Sequence, residues 1–342
     1  MRALLLLRAG FLLLLAGGLC QGASAKDGQR LTVFQINVWL DATQVPRAFE
    51  GLVDEIAAHR PDVVTLCEVG DYRGVNFTDS LCCSLGAQGL RYYTCPSHDG
   101  GVLSRYPIVE SEGLDSLSIC RAVIDVEGTR VAVYSVHLDY THYACYLPRG
   151  YDGVTWEECP LPQSVAEVLA QNDASRRPAE IRRLMARTEQ DLAAGMRIII
   201  GGDFNEPSWL DWQADTKDLY DHRGFVVPWT TTRLLYEAGY RDAYRVLHPS
   251  AVTHPGFTWV ASNEGVGIDK LAWAPKSDER DRIDFIFYKG RGMKPVRAAV
   301  VGPRASIVRG QRVEESSQDT ILEPQSTWPS DHKGVLVTLE IN

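Results

Sequence analysis

The chain has 342 residues, with 35 Lys and Arg against 44 Asp and Glu, a formal net charge of −9 and a pI of about 5.4. Apolar residues make up 45% and charged residues 23%, a balance that excludes intrinsic disorder, collagen-like repeats and a protein of many membrane spans. The acidic excess argues against a broad basic surface for nucleic acid, though not against a nucleic-acid enzyme that works through a metal.

Residues 1–25 carry Arg2 and Arg8, then a leucine-rich run over 11–16, then Ala23-Ser24-Ala25. That order predicts a cleavable export signal, a mature chain starting near Lys26, and a secreted or periplasmic location. Gly17, Gly18, Gln21 and Gly22 interrupt the run before the ~20 apolar residues that a span needs. Cleavage removes two arginines and no acid, so −9 becomes −11, and seven cysteines remain. Cys67 sits in an apolar run and is expected to be a buried free thiol. The other six (Cys82, Cys83, Cys95, Cys120, Cys145 and Cys159) can form three bridges in fifteen pairings. Their spacing does not resemble a tetrahedral zinc cluster. Asn76-Phe77-Thr78 is a glycosylation sequon, meaningful only in a eukaryotic secretory pathway.

Strand-like and helix-like stretches then alternate. Leu31–Trp39 reads as a strand. Pro46–Arg60 reads as a helix, with Phe49, Leu52, Val53, Ile56 and Ala57 on one face. Val63–Cys67 is a buried strand, and Arg121–Val126 with Arg130–Val136 forms a hairpin about Glu127-Gly128-Thr129. Pro178–Ala194 is a second helix, with Pro178 in its first turn and Gly195 at its end. Arg197–Ile200, Ile283–Tyr288 and Val335–Ile341 are further strands. Hairpins mixed with strand–helix–strand units predict an α/β protein with mixed sheets under helices. Two stretches, Thr141–Ser175 and Pro207–Pro255, lack periodicity and read as ordered functional loops.

Polar residues stand at the ends of these apolar strands: Asn37, Glu68, His137, Asp203 with Asn205, Asp284, and Asp331 with His332. One such residue is usually a satisfied core or capping group, because a carboxylate there is costly unless paired, hydrogen-bonded or metal-bound. Several at strand ends point to a shared site, since sheet topology gathers strand ends. Oxygen donors Glu68, Asp203 and Asp284 with the two amides suit Mg²⁺, or Mn²⁺ or Ca²⁺, rather than a soft metal. The two histidines suit proton transfer and stabilisation of a developing anion. There is no phosphate loop of the G-x-x-x-x-G-K-[ST] type and no G-x-S-x-G elbow, so hydrolysis by activated water fits better than a covalent serine or ATP-driven chemistry.

The ordered set Gln35-Ile36-Asn37, Cys67-Glu68-Val69, Gly101–Pro107, Ser135-Val136-His137, Gly202-Asp203-Phe204-Asn205, Arg282-Ile283-Asp284 and Ser330-Asp331-His332 resembles the endonuclease/exonuclease/phosphatase superfamily. That group includes deoxyribonuclease I, exonuclease III, neutral sphingomyelinases and inositol polyphosphate 5-phosphatases. The resemblance implies one catalytic domain over 26–342: a four-layer sandwich of two mixed β-sheets packed face to face, with helices outside and the site at one edge. It implies Glu68 as the main Mg²⁺ ligand, with Asn37 beside it and Asp331 able to touch a metal. Asp203 would orient or deprotonate water or protonate the leaving oxygen. Asn205 and His137 would hold phosphate, and His332 would act as base or electrostatic stabiliser, oriented by Asp284.

A secreted metal-dependent phosphodiesterase acting on nucleic acid or nucleotides is the first expectation, as a monomer with no stable membrane span. A sphingomyelinase-like enzyme taking a phospholipid head group, or a small-molecule phosphatase, is the alternative. A catalytically dead binding protein would have lost Glu68, Asp203, Asp284 or His332, and all are present. The insert Asp139–Trp156, with Tyr143, Tyr146, Arg149, Cys145 and the nearby Cys159, reads as a disulfide-pinned loop that helps set specificity. Arg149 could bind phosphate. Arg176 and Arg177 read as solvated surface. Trp259 either stacks on a base or packs beneath the site.

Overall fold

The computed structural model describes residues 29–70, 74–114 and 119–342; the expected export signal lies outside the described residues. In chain order, strand β1 (Gln29–Asn37) leads to helix α1 (Ala48–His59), β2 (Val63–Cys67), α2 (Phe77–Ala87), β3 (Tyr93–Pro96), β4 (Gly100–Ser104) and β5 (Ile108–Gly113). Then come β6 (Ile119–Val126), β7 (Thr129–His137), α3 (Val165–Asp173), α4 (Arg177–Ala193) and β8 (Arg197–Asp203). The last third holds α5 (Thr230–Glu237), β9 (Arg241–Asp242), α6 (Ala243–Leu247), β10 (Asp284–Lys289), β11 (Met293–Val301), β12 (Ala305–Val308), β13 (Gln311–Glu314), β14 (Ile321–Leu322) and β15 (Gly334–Ile341).

A seven-stranded sheet runs β14-β11-β15-β1-β2-β4-β3 and a six-stranded sheet runs β5-β6-β7-β8-β10-β9. Alternation of side chains along each strand builds the layers. Val33, Val63, Val102, Val133, Ile199 and Ile286 form a core between the sheets. Their neighbours Phe34, Val64 and Leu103 pack with Leu52, Ile56, Leu81 and Leu85 of α1 and α2. Tyr134, Ile198, Ile200 and Phe287 pack with Ile181 and Leu184 of α4. Helices, sheet, sheet and helices make the four layers that the motifs imply. The sheets approach closely at Gly201, where an added Cβ would stand 2.2 Å from Thr65 Oγ1.

Sequence and structure agree on the hairpin, whose turn residues Glu127 and Gly128 both take positive φ, as a two-residue turn between right-twisted strands requires. Helix α4 has its proline in the first turn and ends at Gly195, φ 81°. The two stretches read as loops hold more regular structure than expected: a 3₁₀ turn at Ala144–Arg149, then α3, α5, β9 and α6. Helix α3 buries only Val168 and Asn172, so it has no apolar stripe to read, and the 3₁₀ turn contains Pro148. Asn76 is engaged as the N-cap of α2, its oxygen accepting from Asp79 N at 3.2 Å and Thr78 Oγ1 at 2.7 Å. Among the described residues, no helix is long and apolar enough to cross a membrane.

Two buried arginines pin the long loops. Arg149 is 1% exposed and pairs with Asp281, which also accepts from Trp212 Nε1 at 3.0 Å; it is therefore a loop anchor and not a phosphate ligand. Arg177 is wholly buried and donates to the carbonyls of Asp139, Thr141 and His142 at 2.6–2.8 Å. It is not surface, while its neighbour Arg176 is exposed beside Asp139 and Glu180. The seven cysteines of the described residues are unbridged in this structure, and the two arginines hold the insert. Cys67 is fully buried, as its apolar run predicts.

His222 lies flat on Trp212 with ring centroids 3.6 Å apart, and burial together with the Arg149 charge pushes its pKa down to about 2. Its unfolded value is 6.5, so below that pH the unfolded chain takes a proton that the fold refuses. The stability supplied by neutral His222 is present above pH 6.5 and is lost as pH falls toward 2. The His222→Phe variant should therefore lose about 2 kcal/mol less than the native chain between about pH 8 and pH 5. Denaturant midpoints at the two pH values measure this, and equal slopes would refute it.

Candidate active site

Strand register assembles the site. The parallel pair β1–β2 sets Asn37 opposite Cys67, one residue before Glu68. The parallel pair β7–β8 sets His137 opposite Asp203, and antiparallel β10 sets Asp284 opposite Asp203 as well. The loop into β15 brings Asp331 and His332. The C-terminal ends of two parallel pairs and the N-terminal ends of two antiparallel strands thus meet at one edge of the packed sheets. The backbone there departs from ordinary conformations. Trp39 to Ala42 form a left-handed turn with φ of 51–54°, and Glu68 has φ 59°. Such residues cost about 1–2 kcal/mol each and cluster where the surroundings over-determine them. Here Trp39 N donates to Asn37 Oδ1 at 2.9 Å, and Leu40 N donates to Glu68 Oε2 at 2.8 Å.

Asp203, wholly buried, is the hub. Its Oδ2 accepts from Asn37 Nδ2 at 3.1 Å and lies 3.8 Å from His137 Nε2 and 3.7 Å from His332 Nε2. Its Oδ1 accepts from Asn205 N at 2.9 Å. Asn37 Nδ2 also reaches Glu68 Oε1 at 3.0 Å, so with its oxygen on Trp39 N this amide clamps two carboxylates together. His332 Nδ1 donates to Asp284 Oδ2 at 2.9 Å, and His137 Nδ1 donates to Asp99 Oδ2 at 2.8 Å. Asp284 sits behind His332, held by Gln35 Nε2 at 3.3 Å. Asn205 Nδ2 donates to Leu138 O at 2.9 Å, and Trp259 packs on His332 with centroids 4.8 Å apart.

Electrostatics follow from this packing. Burial works against charge on His332, but Asp284 and Asp203 outweigh it and raise the pKa to about 10. Burial likewise opposes His137, and the bond to Asp99 with the charges of Asp99, Asp203 and Glu68 raises it to about 9. Both rings are imidazolium at neutral pH, with Nε2–H on the Asp203 side. Asp203 is raised above the usual carboxylate range by burial and by Asp284, against the pull of the two histidines. Burial lifts Asp331 to about 7, with His332 opposing and Glu68 adding to the rise.

Of the strand-end residues singled out from the sequence, all except Asn37 and Asp284 line one cavity of about 580 Å³, and those two stand immediately behind it. Asp99 and Trp273 were not read from the sequence, and Gln35 entered only as part of its motif. Asp99 precedes Gly100-Gly101 at a strand start, a signal too common to single out. Among the described residues, Asp203, Asp284 and His332 bring ligand-type atoms within 4.8 Å of one another. His332 Nδ1 is committed to Asp284 there, so that trio reads as a proton-sharing relay. Glu68 and Asp331 stand on the cavity wall, and among the described residues no Lys or Arg lines it.

Two helix-covered mixed sheets with a buried carboxylate–imidazole cluster at one edge define the α/β-sandwich class of phosphoester hydrolases. Residues 34–332 match the Endonuclease/Exonuclease/phosphatase family, and the chain belongs to it. An uncharacterised Caenorhabditis elegans protein, F14F9.5, is 29% identical over 320 residues, covering 91% of each chain. Among solved structures, truncated C. elegans TDP2 superposes with a TM-score of 0.53 at 16% identity, covering 91% of this chain and 97% of that one. A Beutenbergia cavernae member of the family gives 0.51 at 18% identity, covering 92% and 72%. These likenesses are of fold.

Proposed function

We propose that the chain is an exported, divalent-metal-dependent phosphodiesterase whose preferred substrates carry nucleotides. The observation that carries the reading is Asp203, with one carboxylate oxygen under 4 Å from two imidazolium Nε2 atoms at the floor of an open cavity. In-line displacement at phosphorus needs a positioned water and neutralisation of charge on the phosphoryl oxygens. Asp203 is the acceptor that orients and deprotonates the water. His332 and His137 donate Nε2–H to phosphoryl oxygens, and Asn205 adds an amide donor. Asp284 and Asp99 are positioning residues that hold the rings.

Glu68 and Asp331 would hold the cation. The fit lies in the donor set: two oxygen ligands on a cavity wall that holds no Lys or Arg among the described residues, one of them already pushed toward its neutral form by burial and its acidic neighbour. Mg²⁺ suits this set, with Mn²⁺ or Ca²⁺ as substitutes. Bound there, the ion would supply Lewis-acid stabilisation of phosphoryl charge. Asn37 stands beside Glu68, its amide nitrogen on Glu68 Oε1 and its oxygen accepting from Trp39 N with a second lone pair left for a cation. The test is turnover of dinucleotides, RNA, plasmid DNA, sphingomyelin and phosphomonoesters by purified protein with Mg²⁺. Chelation should abolish hydrolysis, Mg²⁺ should restore it, and Glu68→Gln should raise the Mg²⁺ needed for half-maximal rate at least about tenfold. An unchanged Mg²⁺ requirement would reject the metal assignment. The aromatic share of the cavity wall favours a second reading, a lipid head group or other small phosphoester, which the same panel separates.

Export would place the thiols in an oxidising compartment. Cys95 Sγ on β3 and Cys120 Sγ on β6 lie 3.0 Å apart, buried between the two sheets. A small side-chain rotation brings this pair to bonding geometry. Non-reducing peptide mapping of exported protein should show a Cys95–Cys120 peptide and a mature start near Lys26. Two free thiols there, or a retained leader, would count against export. The chain is proposed to act as a monomer.

A further inference from the structure

The candidate site is shared between the two sheets. Asn37 ends β1 and Glu68 follows β2, both in the seven-stranded sheet, and His332 leads into β15 of that sheet. Asp203 and Asp284 stand on β8 and β10 of the six-stranded sheet. His332 therefore meets Asp284 and Asp203 across the space between the sheets. Over most of that space the sheets touch through apolar side chains such as Val33, Val133 and Ile286. Apolar contact has no direction, so it does not by itself fix one sheet against the other to the ~0.5 Å that a working site needs.

Just beneath the site this layer turns polar. Gln35, Thr65, Cys67 and Ser135 are all wholly buried, and their hydrogen bonds run from sheet to sheet. Gln35 Nε2 of β1 donates to Asp284 Oδ1 of β10 at 3.3 Å and to Cys67 Sγ at 3.6 Å. Thr65 Oγ1 donates to Gln35 Oε1 at 2.7 Å. Cys67 Sγ of β2 donates to Val136 O of β7 at 3.2 Å and accepts from Asp203 N of β8 at 3.4 Å. Ser135 Oγ of β7 donates to Leu66 O of β2 at 2.6 Å. The orientation of the Gln35 amide follows from its partners. The Asp284 carboxylate only accepts, so the amide nitrogen faces it and the oxygen is left for the Thr65 hydroxyl. A polar group in a dry layer is costly unless it is bonded, and these bonds are directional where the surrounding contacts are not.

We propose that Gln35 is a positioning residue for the His332–Asp284–Asp203 relay. It holds one oxygen of Asp284 while His332 takes the other. Thr65 locks its amide, and Cys67 seats it against the backbone of Asp203. Together they set the two sheets in register at the site. The effect on turnover rests on the phosphodiesterase reading above, whereas the geometry at His332 does not. Gln35 is wholly buried and absent from the cavity wall, so its loss should appear in kcat and not in KM.

The experiment uses the whole protein. Turnover is measured with thymidylyl-thymidine and Mg²⁺, or with the member of the panel above that is hydrolysed fastest. Geometry is measured by nuclear magnetic resonance of isotopically labelled histidine ring nitrogens. Gln35→Met keeps the length of the side chain and removes its donors and acceptor. It should lower kcat about 10–100-fold, the equivalent of one hydrogen bond to a charged group, and leave KM within about twofold. Thr65→Val should lower kcat about 2–10-fold, as for a neutral hydrogen bond, and Thr65→Ser, which keeps the hydroxyl, should restore it. Ile199→Val, in the apolar part of the same layer, should lower the denaturant midpoint with kcat unchanged, which separates loss of register from loss of stability. The His332 Nδ1 resonance, identified by its absence in His332→Gln, should shift in Gln35→Met and Thr65→Val but not in Thr65→Ser or Ile199→Val. Unchanged kcat in folded Gln35→Met, a loss that falls on KM, or a Thr65→Ser variant as impaired as Thr65→Val would overturn the assignment. Should Gln35→Met not fold, the two Thr65 variants decide by the same criteria. An unmoved His332 resonance in Thr65→Val and in folded Gln35→Met would also overturn it. If native protein hydrolyses none of the panel, the phosphodiesterase reading alone has failed, and the resonance still decides whether Gln35 holds the pair.

Discussion

Asp203→Asn should lower kcat by about 10²–10⁴-fold, the usual contribution of a positioned acid–base group. Asparagine keeps the size and one oxygen, but it cannot accept a proton from water. The loss should fall on kcat, because substrate is held mainly by the imidazoles and the cavity walls. His332→Gln should also lower kcat, and the double variant should lose far less than the product of the two single losses, since residues acting as a unit are not additive. Removing a buried charge beside Asp284 changes the fold's electrostatics as well, so denaturant midpoints must accompany the kinetics. Full turnover in Asp203→Asn, or a loss confined to KM, would reject Asp203 as the water-activating group.

The largest stability effect is expected away from the chemistry. Arg149→Met should cost about 3–5 kcal/mol, the penalty for leaving a buried partner charge unpaired. Arg149 and Asp281 are 1% and 2% exposed. The guanidinium also donates to Arg280 O at 3.0 Å and Tyr220 O at 3.3 Å, and its centre lies 5.4 Å from the Trp212 ring. One side chain therefore ties the insert after β7 to the segment before β10. Asp281→Asn in the Arg149→Met background should recover part of the loss, because the stranded charge is then gone. Guanidinium midpoints of the single and double variants measure this, and a loss under about 1 kcal/mol would make the pair no better than a surface ion pair.

How far the sequence could be read depends on the range of the interaction involved. The core strands and α1 and α4 were legible because alternation and 3.6-residue periodicity are local consequences of a one-sided core. The region from β11 to β14 was not read. Lys294 and Arg297 interrupt β11, and β12–β13 is a hairpin with little buried apolar surface. The site's main side chains were legible because each is a polar residue ending an apolar run. Asp99 was not, because only the fold brings it to His137 from 38 residues away.

By itself the sequence determined the family, the two-sheet architecture and the polar residues at the strand ends, since those depend on residue type and short-range pattern. Tertiary structure decided what each polar group does. Arg149 and Arg177 look like surface or ligand cations in the sequence, and burial against Asp281 and loop carbonyls makes them anchors. Hydrogen-bond partners, burial and the field of neighbouring charges arise only when distant segments pack, and those fix whether a carboxylate binds, relays or holds the chain.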